Sequence, residues 1–241
     1  MQQRILTAEL MDDPGLDPAA HARALRGLRR LNILSRAAAP VRAAARGLLK
    51  SARLEPGRAR VLDVATGGGD LLIALGRAGF GVAAGGRLVA VDVSPTALAI
   101  AQRNAGDGGI EAEWVCADVL AGPLPLAYGA VDVAVCSLFL HHLDTAGVVH
   151  VLAEMARVSR VGLVVSDLVR SRAGLVMAAV ASRVVTRSPV VHVDAVKSVR
   201  AAWSTDELAG LARQAGLAGA NVTRVWPERM ILAWRRPEAR P

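Results

Sequence analysis

The chain contains few of the residues on which disulfide-rich, zinc-binding and base-stacking proteins depend. It has 241 residues but only two cysteines, Cys116 and Cys136, and these are not arranged in a CxxC spacing. This scarcity argues against a disulfide framework or a cysteine-based zinc site, and we expect both thiols to be reduced and buried in strands. Aromatic residues make up 3% of the chain, which leaves little material for stacking unpaired bases and disfavours a single-stranded nucleic-acid ligand.

Long uncharged apolar segments are also missing. No run of 18 residues is free of charge, so we predict no membrane-spanning helix. The first residues, MQQRILTAELMDD, lack the apolar core of a secretory signal. Because 53% of the residues are hydrophobic, we expect a folded protein, and we expect it to be cytoplasmic.

The basic residues are unevenly distributed. The formal net charge is +8, and Lys50 and Lys197 are the only lysines, so arginine supplies nearly all of the positive charge. The segment between His21 and Arg60 contains eleven basic residues and one acid, Glu55. It could contact nucleic acid, an anionic membrane or an acidic protein, but a solvated helical face is the simpler interpretation. We therefore expect no nucleic-acid partner, and we leave peripheral membrane contact and the oligomeric state open.

The N-terminal part of the chain, residues 1–54, has the pattern of a helical cap. Asp17 and Pro18 form a typical helix start, in which a capping acid precedes proline at the first helical position. Leucines at helical spacing follow, and a second helical segment runs from Pro40 to Lys50. The next residues, RLEPGRAR, contain a Pro-Gly turn that marks a junction. We expect residues 55–241 to form the main domain.

From residue 55 onward, apolar strands alternate with helices. Ser94 and Asp144 are capping residues at which two of these helices are expected to begin. Strands this apolar are covered on both faces, so the pattern predicts an α/β fold with a parallel sheet between helical layers. The five predicted strands are residues 60–65, 87–93, 112–117, 131–137 and 161–167.

The C-terminal part of the chain has a different pattern. Ser204 and Glu207 form a capping box at the start of a predicted helix over residues 204–217. Two short strands follow, near residues 220–225 and 230–235, and we expect them to form an antiparallel hairpin that closes the sheet.

An apolar insertion, residues 168–203, separates the fifth strand from this helix. Its middle is apolar nearly all round, which suits a core helix, a lid over an apolar substrate or a membrane-touching element. We prefer the lid. His192 lies in the insertion near Asp194, Ser198 and Arg200, and this polar cluster could contact a substrate hydroxyl.

The turn after the first strand, VLDVATGGGD, points to a cationic ligand. Its three glycines are consecutive, which is the wrong spacing for the G-x-G-x-x-G turn of dinucleotide sites, and no Gly-Lys-Ser/Thr follows. Asp63 and Asp70 would repel a pyrophosphate but would attract S-adenosylmethionine, which carries an ammonium and a sulfonium. Asp92 ends the second strand, where it can accept hydrogen bonds from ribose hydroxyls, and Asp118 follows the third, where it can meet the adenine amino group.

These segments resemble the motifs of class I S-adenosylmethionine-dependent methyltransferases. The similar segments are VLDVATGGGDLLIAL, VAVDVSPTAL, WVCADVLAGPLP and VDVAVCSLFLHHLD, which occur in that order between about residues 55 and 167. The resemblance implies a Rossmann-like seven-stranded sheet of order 3-2-1-4-5-7-6 whose last strand is antiparallel, with helices on both faces. It also implies S-adenosylmethionine as the cofactor and no metal.

The resemblance assigns cofactor-binding residues at the ends of the strands. It implies contacts of the methionine part with Asp63, Gly67 and Gly69, of the ribose with Asp92, and of the adenine with Asp118 and Val119. Ala65, Val93 and Ser137 belong to the same implied set. Ala65 stands where the family usually has its first glycine, and a similar DVAT segment occurs in methyltransferases of ubiquinone and menaquinone biosynthesis.

The segment after the fourth strand, SLFLHHLD, bears on the methyl acceptor. It lacks the Asn/Asp-Pro-Pro-aromatic tetrad of enzymes that methylate exocyclic base amines, and its double histidine is similar to that of small-molecule O- and C-methyltransferases. We predict that one histidine, His141 rather than His142, is a general base that Asp167 orients from the end of strand five. In the alternative interpretation, one histidine caps the next helix and the other packs beneath it.

The sequence thus predicts a methyltransferase that acts on a hydroxyl, or less readily a carbon, of a hydrophobic aromatic small molecule such as a phenol, quinol or polyketide. RNA or protein methylation through the basic N-terminal helices is the alternative enzyme function. A binding-only scaffold of the same fold is a third possibility, whereas the glycine spacing excludes a nicotinamide oxidoreductase. His21 and His150 fall on predicted helices and are expected at the surface.

Overall fold

A computed structural model describes residues 3–12 and 15–237 of the chain. Its seven-stranded sheet has the order β3-β2-β1-β4-β5-β7-β6, as the sequence predicts. Strands β1 to β5 pair in parallel, whereas β7 runs antiparallel to both β5 and β6. The strands are β1 Arg60–Val64, β2 Arg87–Asp92, β3 Glu113–Cys116, β4 Val131–Ser137, β5 Ser159–Leu168, β6 Asn221–Val225 and β7 Arg229–Arg235.

Eight α-helices accompany the sheet within the described residues. Predicted capping residues begin several of them: Asp17, Ser94 and Asp144 each accept a hydrogen bond from a backbone N–H of the first turn, and Ser204 forms the predicted capping box with Glu207. The helices are α1 Pro18–Leu34, α2 Ala38–Ser51, α3 Asp70–Arg77, α4 Pro95–Asp107, α5 Thr145–Val158, α6 Arg172–Val185, α7 Pro189–Ala201 and α8 Thr205–Gln214.

Apolar side chains fill both sides of the sheet. Along β1, Leu62 and Val64 belong to one buried cluster, which includes residues of α5 and α8, whereas Val61 belongs to another, which includes residues of α2 and α3. This alternation follows from the two-residue period of a strand. The burial of both faces explains why the parallel strands are nearly continuous apolar runs.

The insertion forms two helices, α6 and α7, which pack against each other and against α1. On α6, Val176, Val180 and Val184 are exposed by 65%, 57% and 79%, so α6 is not the core helix that its composition allowed. That these three exposed valines form part of a lid or contact a membrane stays a prediction. Within the described residues, no helix combines the length and apolar character that crossing a membrane requires.

Several local expectations were wrong. Cys116 is exposed because β3 is the edge strand of the sheet, where one side has no neighbouring strand. His21 and His150, which were expected at the surface, are half-buried, and His150 Nε2 is buried without a hydrogen-bond partner in the described part of the chain. The helical cap begins only at Pro18, since residues 3–9 are not helical and Leu10–Asp12 form a single 3₁₀ turn.

Candidate cofactor and acceptor site

The glycine turn lies at the carboxyl end of β1, where open parallel sheets bind their ligands. Gly67 and Gly69 both have positive φ, +53° and +80°, a backbone region that glycine occupies at no steric cost. A Cβ on Gly69 would lie 3.1 Å from the Cβ of Ala101 on α4, whereas a Cβ on Gly67 would meet nothing within 4 Å. Gly69 therefore lets the turn pack closely on α4, and Gly67 leaves open space above the turn.

Ala65 has a backbone conformation that favours glycine. Its φ is +54°, in the left-handed region that costs a residue with a Cβ about 1–2 kcal/mol. The left-handed backbone explains why the family usually has glycine at this position. Alanine adopts the same turn but pays a cost in backbone strain.

Replacing Ala65 by glycine is expected to stabilise the protein by up to about 1 kcal/mol, because relief of the left-handed strain outweighs the added flexibility of the unfolded chain. Thermal unfolding would then shift upward by about 2–4 °C. Ala74→Gly, within α3, is the matched control and is expected to lower stability by about 0.5–1 kcal/mol. A melting temperature of Ala65→Gly below that of the wild type would contradict the account.

Asp92 ties the second strand to the glycine turn. Its Oδ2 accepts a hydrogen bond from the Gly67 N–H at 2.8 Å, and its Oδ1 accepts one from the Ser94 N–H at 2.9 Å. Each carboxylate oxygen keeps a further lone-pair direction, so the predicted pair of ribose hydroxyls has acceptors available. Asp92 therefore has two separable tasks, shaping the turn and meeting a ligand.

The remaining predicted cofactor residues lie at the same edge of the sheet. Val93 is 61% exposed, whereas Val119 is buried. Asp118 is exposed, and its Oδ1 accepts a hydrogen bond from the Leu120 N–H at 2.8 Å. Ser137 ends β4, so the residues assigned to one cofactor follow neighbouring strands.

Acids surround the glycine turn, and one of them is buried. Asp63 is 1% exposed, and its Oδ2 accepts a hydrogen bond from the Thr66 hydroxyl at 2.8 Å. Burial, with smaller contributions from the carboxylates of Asp92 and Asp70, raises the pKa of Asp63 to about 7. A cation placed here would reverse that effect, because it stabilises the ionised carboxylate.

Helix α1 covers one of these acids. The Asn32 side chain donates a hydrogen bond to Asp70 Oδ2 at 3.4 Å, and Arg29 Nε lies 3.8 Å from Asp70 Oδ1. Burial nevertheless raises the pKa of Asp70. The basic helix therefore lies beside the glycine turn, where at least one of its arginines is paired with an acid.

The structure brings His141 and Asp167 together as a buried pair. The His141 Nδ1–H donates to Asp167 Oδ1 at 2.6 Å, and the His141 backbone N–H donates to Asp167 Oδ2 at 3.0 Å. Both side chains are at most 3% exposed. The pairing fixes the imidazole so that Nε2 points away from Asp167, which is the arrangement expected of an oriented base.

A third acid faces the two histidines, and the sequence analysis did not assign it. Glu9 Oε1 lies 3.7 Å from His141 Nε2, and Glu9 Oε2 lies 4.0 Å from His142 Nε2. Burial of His141 alone would lower its pKa, but Asp167 and Glu9 outweigh that effect and raise it to about 10. In this arrangement His141 is an imidazolium at neutral pH. Its Nε2 can therefore accept a proton only after Glu9 moves away, or after another ligand displaces the proton that Nε2 already carries.

Glu9 belongs to a segment that we call the N-terminal strap, residues 3–12. The Ile5 N–H donates to the Arg200 carbonyl at 3.0 Å, and Lys197 Nζ donates to the Ala8 carbonyl at 2.7 Å. Further along, the Leu10 and Met11 N–H groups donate to the carboxylate of Asp194 at 2.8 and 3.0 Å. The polar cluster of the insertion therefore anchors the strap on α7.

Arg4 fastens the other end of the strap to the histidine loop. Its guanidinium donates to the carbonyls of His141 at 2.8 Å and Leu143 at 2.7 Å, and it lies 3.8 Å above the ring of Trp203. Trp203 Nε1 in turn donates to the Leu140 carbonyl at 2.9 Å. These contacts hold the strap across the carboxyl end of β4.

A cavity of about 290 Å³ lies between the strap and the histidines. A volume near this value suits a small ligand or part of a larger one. Its lining is mixed: the strap supplies apolar side chains and one carboxylate, and the sheet edge supplies two imidazoles. The lining residues are Leu6, Thr7, Ala8, Glu9, His141, His142 and Ala201.

Comparison with known proteins identifies the class of this fold. A family model described as "Methyltransferase domain" matches residues 61–162. A structure of a plantazolicin methyltransferase superposes with a TM-score of 0.68 at 13% identity, over 91% of this chain and 90% of that one. A magnesium protoporphyrin IX methyltransferase from Synechocystis with bound S-adenosylmethionine gives 0.55 at 16% identity, over 95% and 88%. Residues 61–162 therefore match a methyltransferase domain, and the chain has the fold of class I S-adenosylmethionine-dependent methyltransferases.

Curated relatives match only in part. A demethylmenaquinone methyltransferase from Thermus thermophilus is 43% identical over 82 residues, which cover 34% of this chain and 36% of the relative. A ubiquinone biosynthesis O-methyltransferase from Ralstonia nicotianae is 32% identical over 168 residues, which cover 68% of this chain and 64% of the relative. The chain spans less than two thirds of the length of these relatives.

Affinity for S-adenosylmethionine is expected to rise about tenfold from pH 6 to pH 8 and to level off above. Asp63 has a pKa of about 7 without the ligand, and a bound cation lowers that pKa, so binding at or below pH 7 must release a proton. Calorimetry at pH 6, 7 and 8, in two buffers of different ionisation enthalpy, measures both the affinity and the released proton. Asp63→Asn should bind with little pH dependence. A wild-type affinity that stays flat over this range would contradict the assignment of Asp63.

Proposed function

We propose that this protein transfers the methyl group of S-adenosylmethionine to a hydroxyl oxygen of a hydrophobic aromatic small molecule, such as a phenol or quinol. The observation that supports this most directly is the buried His141–Asp167 pair beside a cavity, at the edge of the sheet that also holds the glycine turn. Methyl transfer from S-adenosylmethionine needs a cofactor site next to the acceptor, and the glycine turn and the His141–Asp167 pair at one edge of the sheet support assigning these two roles to them.

The cofactor side supplies acids, and the arginine of α1 that lies beside them, Arg29, is paired with Asp70. Asp63 and Asp70 lie on either side of the glycine turn, and Asp92 contacts it directly. A sulfonium cation with an ammonium group is favoured by this electrostatic environment, whereas a pyrophosphate is disfavoured. The sulfonium carries its own leaving group, so the protein has only to align the acceptor oxygen, the methyl carbon and the sulfur, and to exclude water.

The acceptor side supplies the means of removing a proton. A phenol has a pKa near 10 and a free imidazole a pKa near 6.5, and Asp167 narrows this gap because it raises the pKa of His141, so a proton can pass from the phenol to His141 during methyl transfer. His141 Nε2 would accept that proton while Asp167 holds the ring. Because Glu9 faces Nε2 in the structure, the acceptor hydroxyl has to take its place there.

The apolar side chains that line the cavity favour a hydrophobic acceptor. Leu6, Ala8 and Ala201 line the cavity, and α6 leaves three valines exposed. Two of the proteins to which the chain is similar are named ubiquinone biosynthesis O-methyltransferases, which supports oxygen as the acceptor atom. Nothing in the described structure favours RNA or protein as the acceptor.

Mass spectrometry with trideuteromethyl-labelled S-adenosylmethionine tests the proposal and separates oxygen from carbon as the acceptor. The panel contains a long-chain alkyl phenol, its O-methyl ether, a short RNA and a basic peptide. Labelling of the phenol but not of the ether supports O-methylation. Labelling of the ether indicates C-methylation, and labelling of RNA or peptide alone refutes the proposal.

A further inference from the structure

Three potential metal ligands converge beneath the N-terminal strap. They are a carboxylate oxygen of Glu9 and a ring nitrogen each of His141 and His142, and all three ligand atoms lie within 4.8 Å of one another. The resemblance to methyltransferases implied no metal, and Glu9 lies far from the two histidines in the chain. The fold alone brings the acid to the histidines.

Hydrogen bonds hold two of the three side chains in place. Asp167 accepts the Nδ1–H of His141 at 2.6 Å, which leaves Nε2 as the ligand atom and forms the carboxylate–histidine pair that commonly orients metal-binding imidazoles. The Ser198 hydroxyl donates to Glu9 Oε1 and thereby holds the carboxylate. The two imidazole centroids lie 4.3 Å apart.

The ligand atoms lie somewhat farther apart than around a bound tetrahedral ion. With bonds of about 2.0–2.1 Å, neighbouring ligand atoms around Zn²⁺ lie about 3.3 Å apart. Glu9 Oε1 lies 3.7 Å from His141 Nε2 and Glu9 Oε2 lies 4.0 Å from His142 Nε2, and all three ligand atoms lie within 4.8 Å of one another, so binding an ion requires the side chains to close in by up to about 1.5 Å. Two histidines and one glutamate are also a ligand set of catalytic zinc sites, which keep the fourth position open.

We propose that Glu9, His141 and His142 bind a divalent transition metal, with Zn²⁺ as the best match, and that its open position receives the acceptor hydroxyl. This inference rests on the proposed function and changes only the way in which the hydroxyl is activated. Coordination lowers the pKa of the hydroxyl, whose proton passes to water. The oxygen lone pair then forms the O–CH₃ bond while the S–CH₃ bond breaks, and its electron pair stays on sulfur to give S-adenosylhomocysteine.

Metal binding is tested on the purified full-length chain after removal of metals with a chelator. Co²⁺ is the probe, because tetrahedral Co²⁺ has intense visible absorption, and Zn²⁺ is titrated in parallel by calorimetry. The wild type should bind one equivalent of either ion. Glu9→Gln and His142→Gln should each weaken binding by more than about 100-fold, and Asp167→Asn, which removes an orienting partner, by about 10- to 100-fold.

Matched controls guard against general damage to the fold. Glu111→Gln and His21→Gln change an exposed glutamate and a histidine of α1, and both should bind Co²⁺ as the wild type does. Thermal unfolding of each variant shows whether it is folded. A wild type that binds no Co²⁺, or a Glu9→Gln and His142→Gln pair that binds it as tightly as the wild type, would overturn the site.

Activity then tests the role of the metal. The chelator-treated enzyme should methylate the phenol at least about 100-fold more slowly than after Zn²⁺ is restored, with S-adenosylmethionine affinity unchanged. Full activity without metal would overturn the metal's role and leave free His141 as the base. Failure of the cofactor to bind would instead refute the proposed function, and the Co²⁺ spectrum reports on the site independently of that result.

Discussion

Replacing His141 by glutamine is expected to slow methyl transfer to a phenol by about 100- to 10,000-fold, the usual effect of losing an acid–base group. Glutamine is similar in size but can neither accept the proton nor replace the Nε2 ligand of a metal. The loss is therefore expected whether a free imidazole or a metal ion activates the hydroxyl. Single-turnover assays with saturating S-adenosylmethionine measure the step directly.

The control for this variant is His21→Gln, on α1, which should retain the wild-type rate. Cofactor affinity of His141→Gln should stay within about threefold of the wild type, because His141 lies beyond the residues assigned to the cofactor. A turnover rate within threefold of the wild type would show that His141 packs beneath the loop and takes no part in the chemistry.

Replacing Asp92 by alanine is expected to weaken S-adenosylmethionine binding by about 100-fold or more. Hydrogen bonds to a charged group contribute about 1.5–3 kcal/mol each, and about 1.4 kcal/mol corresponds to tenfold in affinity. The variant also loses the acceptors for the Gly67 and Ser94 N–H groups, so the turn itself should loosen. Both effects act in the same direction, and calorimetry measures their sum.

Asp107→Ala, at the exposed end of α4, is the matched control and should bind the cofactor normally. Asp92→Asn helps to separate the two tasks, because the amide keeps one acceptor oxygen for the turn but loses the charge. We expect its affinity to lie between those of Asp92→Ala and the wild type. Wild-type affinity in Asp92→Ala would remove this residue from the cofactor site.

The sheet was predictable from the sequence because its signals are local. Apolar runs bounded by caps such as Ser94 and Asp144 marked the five parallel strands to within two residues, and four of these strands are buried between helical layers. The order β3-β2-β1-β4-β5-β7-β6 followed from the resemblance and is confirmed. Cys116 was wrongly expected to be buried, since an apolar strand does not show in its own sequence that it lies at the sheet edge.

The site was predictable only in part. The acids at the strand ends and the pairing of His141 with Asp167 could be anticipated, because parallel strands bring their carboxyl ends to one edge. The strap could not, because its contacts are backbone and charge contacts with residues more than 100 positions away. Glu9 has no periodicity or motif around it, and only the folded chain shows that it faces two histidines.

The measurement that tests the central claim most directly is a calorimetric titration of the wild-type protein with S-adenosylmethionine and, separately, with NADH. The account predicts one S-adenosylmethionine site per chain and no binding of NADH, because the acids at the glycine turn attract a sulfonium and repel a pyrophosphate. Binding of NADH, or of neither ligand, would contradict the assignment of the turn as a cofactor site.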